Sequence, residues 1–353
     1  MKEYIIVGQG LAAFIVAHQL HKKNIEFTLI GDPKLSSSSL VAAGIWNPIV
    51  FKRLTKSWMA DKLIPSLENF YSECERKLGT QLITKRKLIR PFSEKQEIDL
   101  WLKKAKNEMH EFLSQEIFSE DNNKFMNCPM PLGYGEVLQA GNLDIKTFIE
   151  KSQEYFKEKI IVELFDYKLL EVERENIYYK ELKADGIIFC EGYLIRNNPY
   201  FNYIPMKPVK GEVLEIHCED LNFKNALINK GGFLMDIGEK EFKAGATFNW
   251  DDLKEEPSAE GKKELELNLA QITSKKYSII KHEAGIRPSV IDRRPVSGVH
   301  PKYKNLFVFN GLGTKGVMLA PYLADNFVHF VLNTAELNAE ANVSRFDKLY
   351  PNT

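Results

Sequence analysis

The sequence predicts an α/β protein of about two domains, one built on a parallel sheet and the other on a largely antiparallel sheet. Three observations favour this fold class: the size of the chain, a strand–helix–strand pattern at its N-terminus, and alternating strand patterns farther along. The 353 residues are 44% hydrophobic, which is sufficient for sizeable cores in domains of ordinary length.

The first pattern covers residues 3–32. "EYIIV" is a short, β-branched, fully apolar run followed at once by glycines, which is typical of a buried parallel strand that ends in a tight turn. Residues 11–20 then favour a buried helix, and "IEFTLI" predicts a second strand. Together they form a βαβ unit, whose crossover we expect to be right-handed.

The middle of the chain alternates between helical and strand patterns. Apolar residues recur at helical spacing over 61–78 and 93–118, which predicts two amphipathic helices that pack on the surface. Between residues 159 and 190 the pattern changes to short strands separated by polar turns. This stretch predicts an antiparallel meander that ends in a buried strand.

The chain beyond residue 208 supplies further strands and two helices. "VKGEVLEIH" and "FKAGATFNW" bracket strand-like segments, and Ser258 is a suitable N-cap for the helix that follows. "NLFVFNGLGTKGVMLAP" predicts a strand, a glycine-rich turn and an apolar helix. Pro321 fits that helix only if the helix starts near Met318 or kinks at the proline.

Composition excludes several classes of function. Lys plus Arg and Asp plus Glu each total 48, so the chain has no net charge and lacks the field that attracts nucleic acid or an anionic membrane. No apolar run approaches the roughly 18 residues of a transmembrane helix. The spacing of the cysteines favours neither a metal site nor disulfides: they are Cys74, Cys128, Cys190 and Cys218. We expect a cytoplasmic protein without a metal, a nucleic-acid partner or a membrane span.

A glycine-rich turn lies between the first strand and the first helix. Gly8, Gly10 and Ala13 match the G-x-G-x-x-G/A pattern of a Rossmann-like dinucleotide site. The first glycine permits the turn, the second admits a pyrophosphate and the small third residue lets helix and strand pack closely. In such sites an acidic residue at the end of the second strand binds the ribose, and Gly31 stands at that position here. Asp32 either binds the ribose from a position shifted by one residue or caps the turn before Pro33.

Two further glycine-bearing segments, "SSSSLVAAGIWNP" and "NGLGTKGVMLAP", extend this pattern. With them the chain resembles the D-amino-acid oxidase family of flavoproteins, which includes glycine oxidase and sarcosine oxidase. The resemblance covers most of the chain through eight segments in order: "GQGLAA", "SSSSLVAAG", "YKLLEVERE", "ADGIIFCEG", "PMKPVKGEVLEI", "KAGATFNW", "AGIRPSVIDRRPVSG" and "GLGTKGVMLAP".

The resemblance implies that the cofactor is FAD and that several short segments hold it. The pyrophosphate would be contacted by Gly8, Gly10 and Leu11, the ribose by Asp32, and the phosphate or ribitol region by Ser38 and Ser39. The backbone of Ala43, Gly44 and Ile45 would pass beside the flavin ring, and the backbone of Leu169 would contact the adenine. The strand beneath the cofactor would end at Cys190 and Gly192. We interpret the cysteine of this set as a buried strand residue and not as a reactive thiol.

The second glycine segment would stabilise the reduced flavin. Its amides would point at the N1 and C2 carbonyl edge, where two-electron reduction places negative charge. The residues concerned are Gly313, Thr314, Lys315, Gly316, Val317 and Met318. The alternative is a surface helix with a glycine-rich lead-in.

The family resemblance also implies a substrate-binding arginine. In its amino-acid oxidising members the arginine of G-x-R-P grips a carboxylate, and Arg287 matches that position. A guanidinium makes two charge-assisted hydrogen bonds to a carboxylate, which would orient the substrate for hydride transfer to flavin N5. The alternative is a structural ion pair with Asp292 or Glu283. Arg293 and Arg294 are predicted to be solvent-exposed.

The rest of the substrate pocket departs from the family pattern. Ile45 and Trp46 replace smaller residues, and Phe233 stands near the place of a substrate-contacting tyrosine of glycine oxidase. Trp46, Phe233 and Trp250 are either the walls of an apolar substrate pocket or core residues.

The resulting hypothesis is a Rossmann-like FAD-binding domain (residues 1–79, 139–204 and 283–353) with a discontinuous substrate domain (80–138 and 205–282). The predicted function is FAD-dependent oxidation of the C–N bond of an amino acid or N-substituted amine, with oxygen or an unknown carrier as electron acceptor. Two alternatives remain: an enzyme for a modified nucleoside or carrier-bound amine, and a flavin-binding protein without turnover.

Overall fold

The computed structural model describes residues 2–33, 38–119 and 128–351. The strands of this part are β1 (Glu3–Val7), β2 (Glu26–Gly31), β3 (Ile45–Trp46), β4 (Ile49–Val50), β5 (Thr55–Lys56), β6 (Ile83–Pro91), β7 (Tyr134–Leu143), β8 (Ile160–Val162), β9 (Leu170–Val172), β10 (Ile177–Tyr179), β11 (Leu182–Ala184), β12 (Gly186–Phe189), β13 (Val209–His217), β14 (Ala226–Lys230), β15 (Gly232–Gly238), β16 (Glu241–Gly245), β17 (Ser278–Arg287), β18 (Val296–Val299) and β19 (Leu306–Asn310). The helices are α1 (Leu11–Lys22), α2 (Ser38–Val41), α3 (Ala60–Leu78), α4 (Lys95–Ala105), α5 (Ile145–Tyr155), α6 (Ala259–Ala270) and α7 (Gly316–Val331).

A six-stranded sheet contains the N-terminal βαβ unit. Its strand order is β18-β19-β12-β1-β2-β8, and every neighbouring pair is parallel except β18 with β19. Alternate side chains of β1 enter two different cores: Tyr4 and Ile6 pack with residues of α1 and α7, whereas Ile5 and Val7 pack with residues of β9–β11. Burial on both faces explains the continuous apolar run of this strand. The predicted βαβ unit is confirmed.

The second large sheet has eight strands in the order β17-β13-β16-β15-β14-β6-β7-β3. Only the pair β14 and β6 is parallel, so the predicted largely antiparallel sheet is confirmed. Leu265 and Leu269 of α6 share a buried core with Leu214 of β13, and so α6 covers one face of this sheet. β7 and β17 each continue across one of the expected domain limits; these limits remain a prediction.

Two local predictions need correction. The helix expected over 93–118 ends at Ala105, because the apolar residues beyond it are buried in turns, and Leu113 and Phe118 form isolated bridges with β7. The meander expected over 159–190 comprises only β9–β11. Its first stretch, β8, pairs with β2 in the parallel sheet instead.

The helix α7 starts at Gly316 and includes Pro321. A proline has no amide hydrogen, and therefore it leaves the carbonyl four residues earlier without its helical donor. The hydroxyl of Tyr71, a fully buried residue of α3, donates to that Val317 carbonyl at 3.2 Å. The proline is thus accommodated by a neighbouring helix. Among the described residues no helix has both the length and the apolar character needed to cross a bilayer.

Candidate active site

A cavity of about 1020 Å³ lies at the carboxyl ends of the parallel strands. The segments that follow β1, β2, β8, β12 and β19 line one side of it, and one face of the eight-stranded sheet lines the other. Ligands of open α/β sheets bind at this end of the strands. The position therefore agrees with the dinucleotide site that the glycine motif predicts.

The glycine turn after β1 has the geometry that its sequence indicates. Gly8 adopts φ +117°, and a Cβ there would lie 2.5 Å from the Cys190 carbonyl oxygen. Gly10 is the N-cap of α1 and lines the cavity. Ala13 is fully buried and lies away from the cavity wall, which agrees with its packing role but not with a direct cofactor contact. The first turn of α1 therefore faces the cavity with backbone amides.

The sequence did not identify Gln9 as a residue of this site. Its Nε2 donates to the Gly31 carbonyl at 2.6 Å, and a Cβ on Gly31 would lie 2.8 Å from its Cγ. The side chain of Gln9 therefore occupies the space that a side chain at position 31 would need, and a larger residue there would require Gln9 to move. Asp32 lines the cavity, and its ribose role remains a prediction. The Leu11 amide donates to Ser39 Oγ at 3.2 Å.

The segment after β12 also lines the cavity. Glu191 accepts hydrogen bonds from the Tyr167 hydroxyl and, at 2.8 Å, from Asn198 Nδ2. Burial raises the pKa of the Glu191 carboxyl to about 7. Cys190 is buried, and this burial raises the pKa of its thiol well above the ordinary value, which fits the buried strand residue. Leu169 is 45% exposed and does not line the cavity.

The second glycine segment follows β19, which is the neighbour of β12 in the sheet. Gly313 through Val317 line the cavity, whereas Met318 is buried behind it and its amide donates to the Lys315 carbonyl at 3.0 Å within the helix. The Met318 amide is thus not available to a cofactor. Lys315 Nζ donates to the carbonyls of Asn47 (3.3 Å) and Ile49 (3.2 Å) and to a serine hydroxyl. Burial lowers the pKa of the Lys315 amine to about 8.

Arg287 lies at the end of β17 and lines the same cavity. Its Nη1 donates to the carbonyls of Thr247 (3.1 Å) and Lys210 (3.4 Å). The guanidinium lies between the backbone of Gly211, where a Cβ would be 1.9 Å from Nη2, and the ring of Phe248, whose centroid is 4.4 Å from Cζ. Burial lowers its pKa to about 10, so it is charged at neutral pH.

The carboxylates that could have paired with Arg287 are engaged elsewhere. Glu283 pairs with Lys281 at 2.6 Å, and Asp292 pairs with Arg345 at 2.8 Å. Within the described part of the chain Arg287 forms no ion pair, which disfavours the structural alternative. Arg293 is exposed, and Arg294 contacts a surface glutamate at 2.9 Å.

The floor of the cavity is one row of residues across the eight-stranded sheet. Asn229, Phe233, Gly245, Val213 and Glu283 are register partners on successive strands, and all of them line the cavity. Strands are spaced by about 4.8 Å, so the row extends for about 19 Å. The Phe233 ring lies over Gly245, where a Cβ would be 2.8 Å from its Cε1. Phe233 therefore does reach the site.

The two tryptophans predicted for an apolar pocket do not line the cavity. Trp46 is 1% exposed and packs against the backbone of Gly141, where a Cβ would be 2.3 Å from its ring. Trp46 is thus a core residue. Trp250 is 47% exposed and stacks beside Phe248, with ring centroids 6.3 Å apart. Among the described residues no cluster of His, Cys, Asp and Glu is arranged to hold a metal ion.

Curated relatives match parts of the chain. The tRNA 5-methylaminomethyl-2-thiouridine biosynthesis bifunctional protein MnmC of Idiomarina loihiensis is 28% identical over 172 residues, which are 45% of this chain and 28% of that protein. The glycine oxidase of Bacillus subtilis is 25% identical over 174 residues, which are 45% of this chain and 46% of that enzyme. Each of these two matches spans less than half of the relative.

Solved structures share the whole fold. The iminodiacetate oxidase from Chelativorans sp. BNC1 has a TM-score of 0.79 and 16% identity, over 97% of this chain and 98% of that one. The glycine oxidase from Bacillus cereus has a TM-score of 0.78 and 17% identity, over 95% of this chain and 96% of that one.

The family is shown by a match along most of the chain. A family model described as FAD dependent oxidoreductase (DAO) matches residues 3–329, a range that includes the glycine turn after β1, Arg287 and the second glycine segment. The match agrees with the FAD expected from the sequence. The chain is an FAD-dependent enzyme that belongs to the D-amino-acid oxidase family of oxidoreductases.

Proposed function

We propose that this enzyme oxidises the C–N bond of an amino acid or N-substituted amine. The observation that carries the proposal is Arg287, a partly buried guanidinium that has no carboxylate partner among the described residues and lines the same cavity as both glycine segments. A desolvated positive charge in a ligand cavity is most stable with an anionic ligand. A substrate carboxylate meets that requirement.

The residues present fit FAD. Gly8 leaves the backbone beside the cavity free of any Cβ, and the helices that begin at Leu11 and Gly316 both direct first-turn amides toward the cavity from neighbouring positions. Such amides suit a pyrophosphate and a negatively charged ring edge. Bound FAD supplies the acceptor for a hydride from the carbon that carries the amine.

The protein contributes binding and orientation. The backbone of Gly211 and the ring of Phe248 hold the Arg287 guanidinium in one plane, and two carbonyls occupy Nη1, so that a carboxylate is received from a fixed direction. Fixing the carboxylate restricts the adjacent carbon, and a correctly oriented bound substrate reacts faster. Phe233 contributes an apolar surface to the floor of the cavity.

A second candidate substrate is an amine carried by a modified nucleoside. The similarity to the MnmC protein and the half-exposed Phe248–Trp250 pair beside the cavity favour it, because stacked aromatic side chains receive nucleobases. The zero net charge of the chain and the acidic residues in "DDLKEE" at 251–256 disfavour a polyanionic RNA.

The test begins with the purified protein and its flavin spectrum. Amino acids, N-substituted glycines and modified nucleosides are added without oxygen, and bleaching of the flavin identifies the substrate class. Admission of oxygen then shows whether oxygen or another carrier accepts the electrons. Arg287→Met should keep FAD bound but lose bleaching by a carboxylate substrate. Undiminished bleaching of that variant would contradict the carboxylate role, and a wild-type flavin that no compound bleaches would favour a binding protein without turnover.

A further inference from the structure

The sheet has a buried charged cluster on the face opposite the cavity, directly behind Arg287. Gly211 and Val213 of β13 face the cavity, so the alternating residues Lys210 and Glu212 face α6. Their side chains are only 1% and 3% exposed, and Lys210 Nζ lies 3.4 Å from Glu212 Oε1. Charged groups are rarely buried so completely.

Other groups complete the cluster. Lys210 Nζ donates to Asp252 Oδ2 at 2.6 Å, and the Glu212 carboxylate accepts from the amide (2.9 Å) and hydroxyl (2.7 Å) of Ser258. His282 Nε2 lies 2.8 Å from Glu212 Oε2. Burial acts to lower the pKa of Lys210, but Asp252 and Glu212 outweigh it, so its pKa is raised and the ammonium stays charged. Buried ion pairs add little net stability.

This cluster holds the segment between β16 and α6 against β13. The Lys210 amide donates to the Asn249 carbonyl at 2.8 Å, and the Asn249 amide donates back to the Lys210 carbonyl at 3.0 Å. The Glu212 amide donates to Thr247 Oγ1 at 2.9 Å. Asp252, in the middle of the same segment, is held by the Lys210 ammonium, and Ser258, at its other end, donates to the Glu212 carboxylate. The segment is therefore held to the strand at both ends.

The same segment carries the contacts of Arg287. Its Nη1 donates to the Lys210 carbonyl of β13 and to the Thr247 carbonyl of the segment. The ring against its guanidinium, Phe248, also belongs to the segment. A displacement of the segment would move one acceptor and the ring together. We propose that Lys210, Glu212 and Asp252 are positioning residues that set the orientation of Arg287, and through it the affinity for a carboxylate. This inference rests on the proposed function.

The experiment uses the FAD-loaded protein with benzoate as the carboxylate probe and benzamide as its neutral counterpart. Dissociation constants are measured from the change that each probe causes in the flavin absorption. Lys210→Met should raise the dissociation constant of benzoate between about 10- and 100-fold, because a misaligned guanidinium loses part of its charge-assisted hydrogen bonding to the carboxylate. Binding of benzamide and FAD content should not change. An unchanged benzoate constant would overturn the inference.

Two further variants separate positioning from general damage. In an Arg287→Met background, Lys210→Met should have no additional effect on benzoate, because the residue through which it acts is gone; an additional loss would show a general distortion and refute the inference. Lys243→Met is the matched control, since Lys243 is also a buried lysine paired with a glutamate (3.4 Å) in the same sheet but outside the cavity lining. It should leave the benzoate constant unchanged, and an effect equal to that of Lys210→Met would also refute the inference.

The remaining outcomes distinguish the two proposals. If Lys210→Met does not fold, Asp252→Asn removes the same contact from a side chain that is 32% exposed and should raise the benzoate constant in the same direction. If Arg287→Met leaves benzoate binding unchanged, the carboxylate role itself is wrong. If Arg287→Met weakens benzoate but neither Lys210→Met nor Asp252→Asn does, only the positioning role is wrong.

Discussion

Replacing Gly211 by alanine should test the Arg287 site while the arginine itself is retained. A Cβ at this position would lie 1.9 Å from Nη2, 2.2 Å from Cζ and 2.4 Å from Nη1 of Arg287. These distances are far below van der Waals contact, so the two groups cannot keep their present positions. The guanidinium is the end of a flexible side chain, whereas Gly211 belongs to a central strand. The arginine should therefore move and the sheet should remain.

The expected loss follows from the bonds that a displaced guanidinium can no longer make. Hydrogen bonds to charged groups contribute about 1.5–3 kcal/mol, which corresponds to a roughly 10- to 150-fold rise in the dissociation constant of a carboxylate ligand. The assay is titration of the FAD-loaded variant with benzoate and with benzamide. Benzamide binding, flavin content and the thermal midpoint should stay near those of the wild type. If the Gly211→Ala protein binds benzoate normally, the packing of the Arg287 guanidinium between Gly211 and Phe248 is not the basis of carboxylate binding.

Three other predictions concern the cofactor and stability. Gly8→Ala should abolish FAD binding, because a Cβ at φ +117° would lie 2.5 Å from a carbonyl oxygen; a normal flavin-to-protein absorbance ratio after purification would contradict this. Tyr71→Phe should lower the free energy of unfolding by about 1–3 kcal/mol, since the buried Val317 carbonyl loses its donor; an unchanged urea midpoint would be inconsistent with it. Burial lowers the pKa of His18 from 6.5 to about 3, so below pH 6.5 the unfolded chain binds a proton that the folded chain does not. Stability should therefore fall on acidification below that pH by up to about 1.4 kcal/mol per unit, and a His18→Phe variant with an equally steep loss would show that another group is responsible.

Features that depend on a few consecutive residues could be predicted from the sequence. The turn at Gly8 and the N-terminal βαβ unit are of this kind, and both are confirmed. So is the helix N-cap at Ser258, whose side chain accepts from the Gly261 amide. The position of Arg287 at the cavity also follows from a short motif, because that motif ends a strand of the sheet that forms the cavity floor.

Features that depend on distant partners could not be predicted in this way. The two acceptors of the Arg287 guanidinium lie 77 and 40 residues away in the chain, so no local pattern indicates them. Trp46 is a core residue because Gly141 leaves room for its ring, and neither residue indicates the other. Beyond α4 the helical spacing arises from burial alone: Met109 and Phe112 are buried in turns, and Leu113 is buried in an isolated bridge. Periodicity detects burial and does not by itself identify a helix.

The order of strands in the six-stranded sheet has a consequence for biosynthesis. β19, which ends at Asn310, lies directly beside β12, and β12 lies beside β1. A chain emerging from the ribosome therefore carries β1 and β2, which end at Gly31, until β12 begins at Gly186, and the sheet acquires β19 only after Leu306. Pairings between such distant segments form slowly and leave strand edges exposed in the meantime. We expect this sheet to be completed only after β19 has been synthesised, and the nascent chain to need protection from aggregation until then.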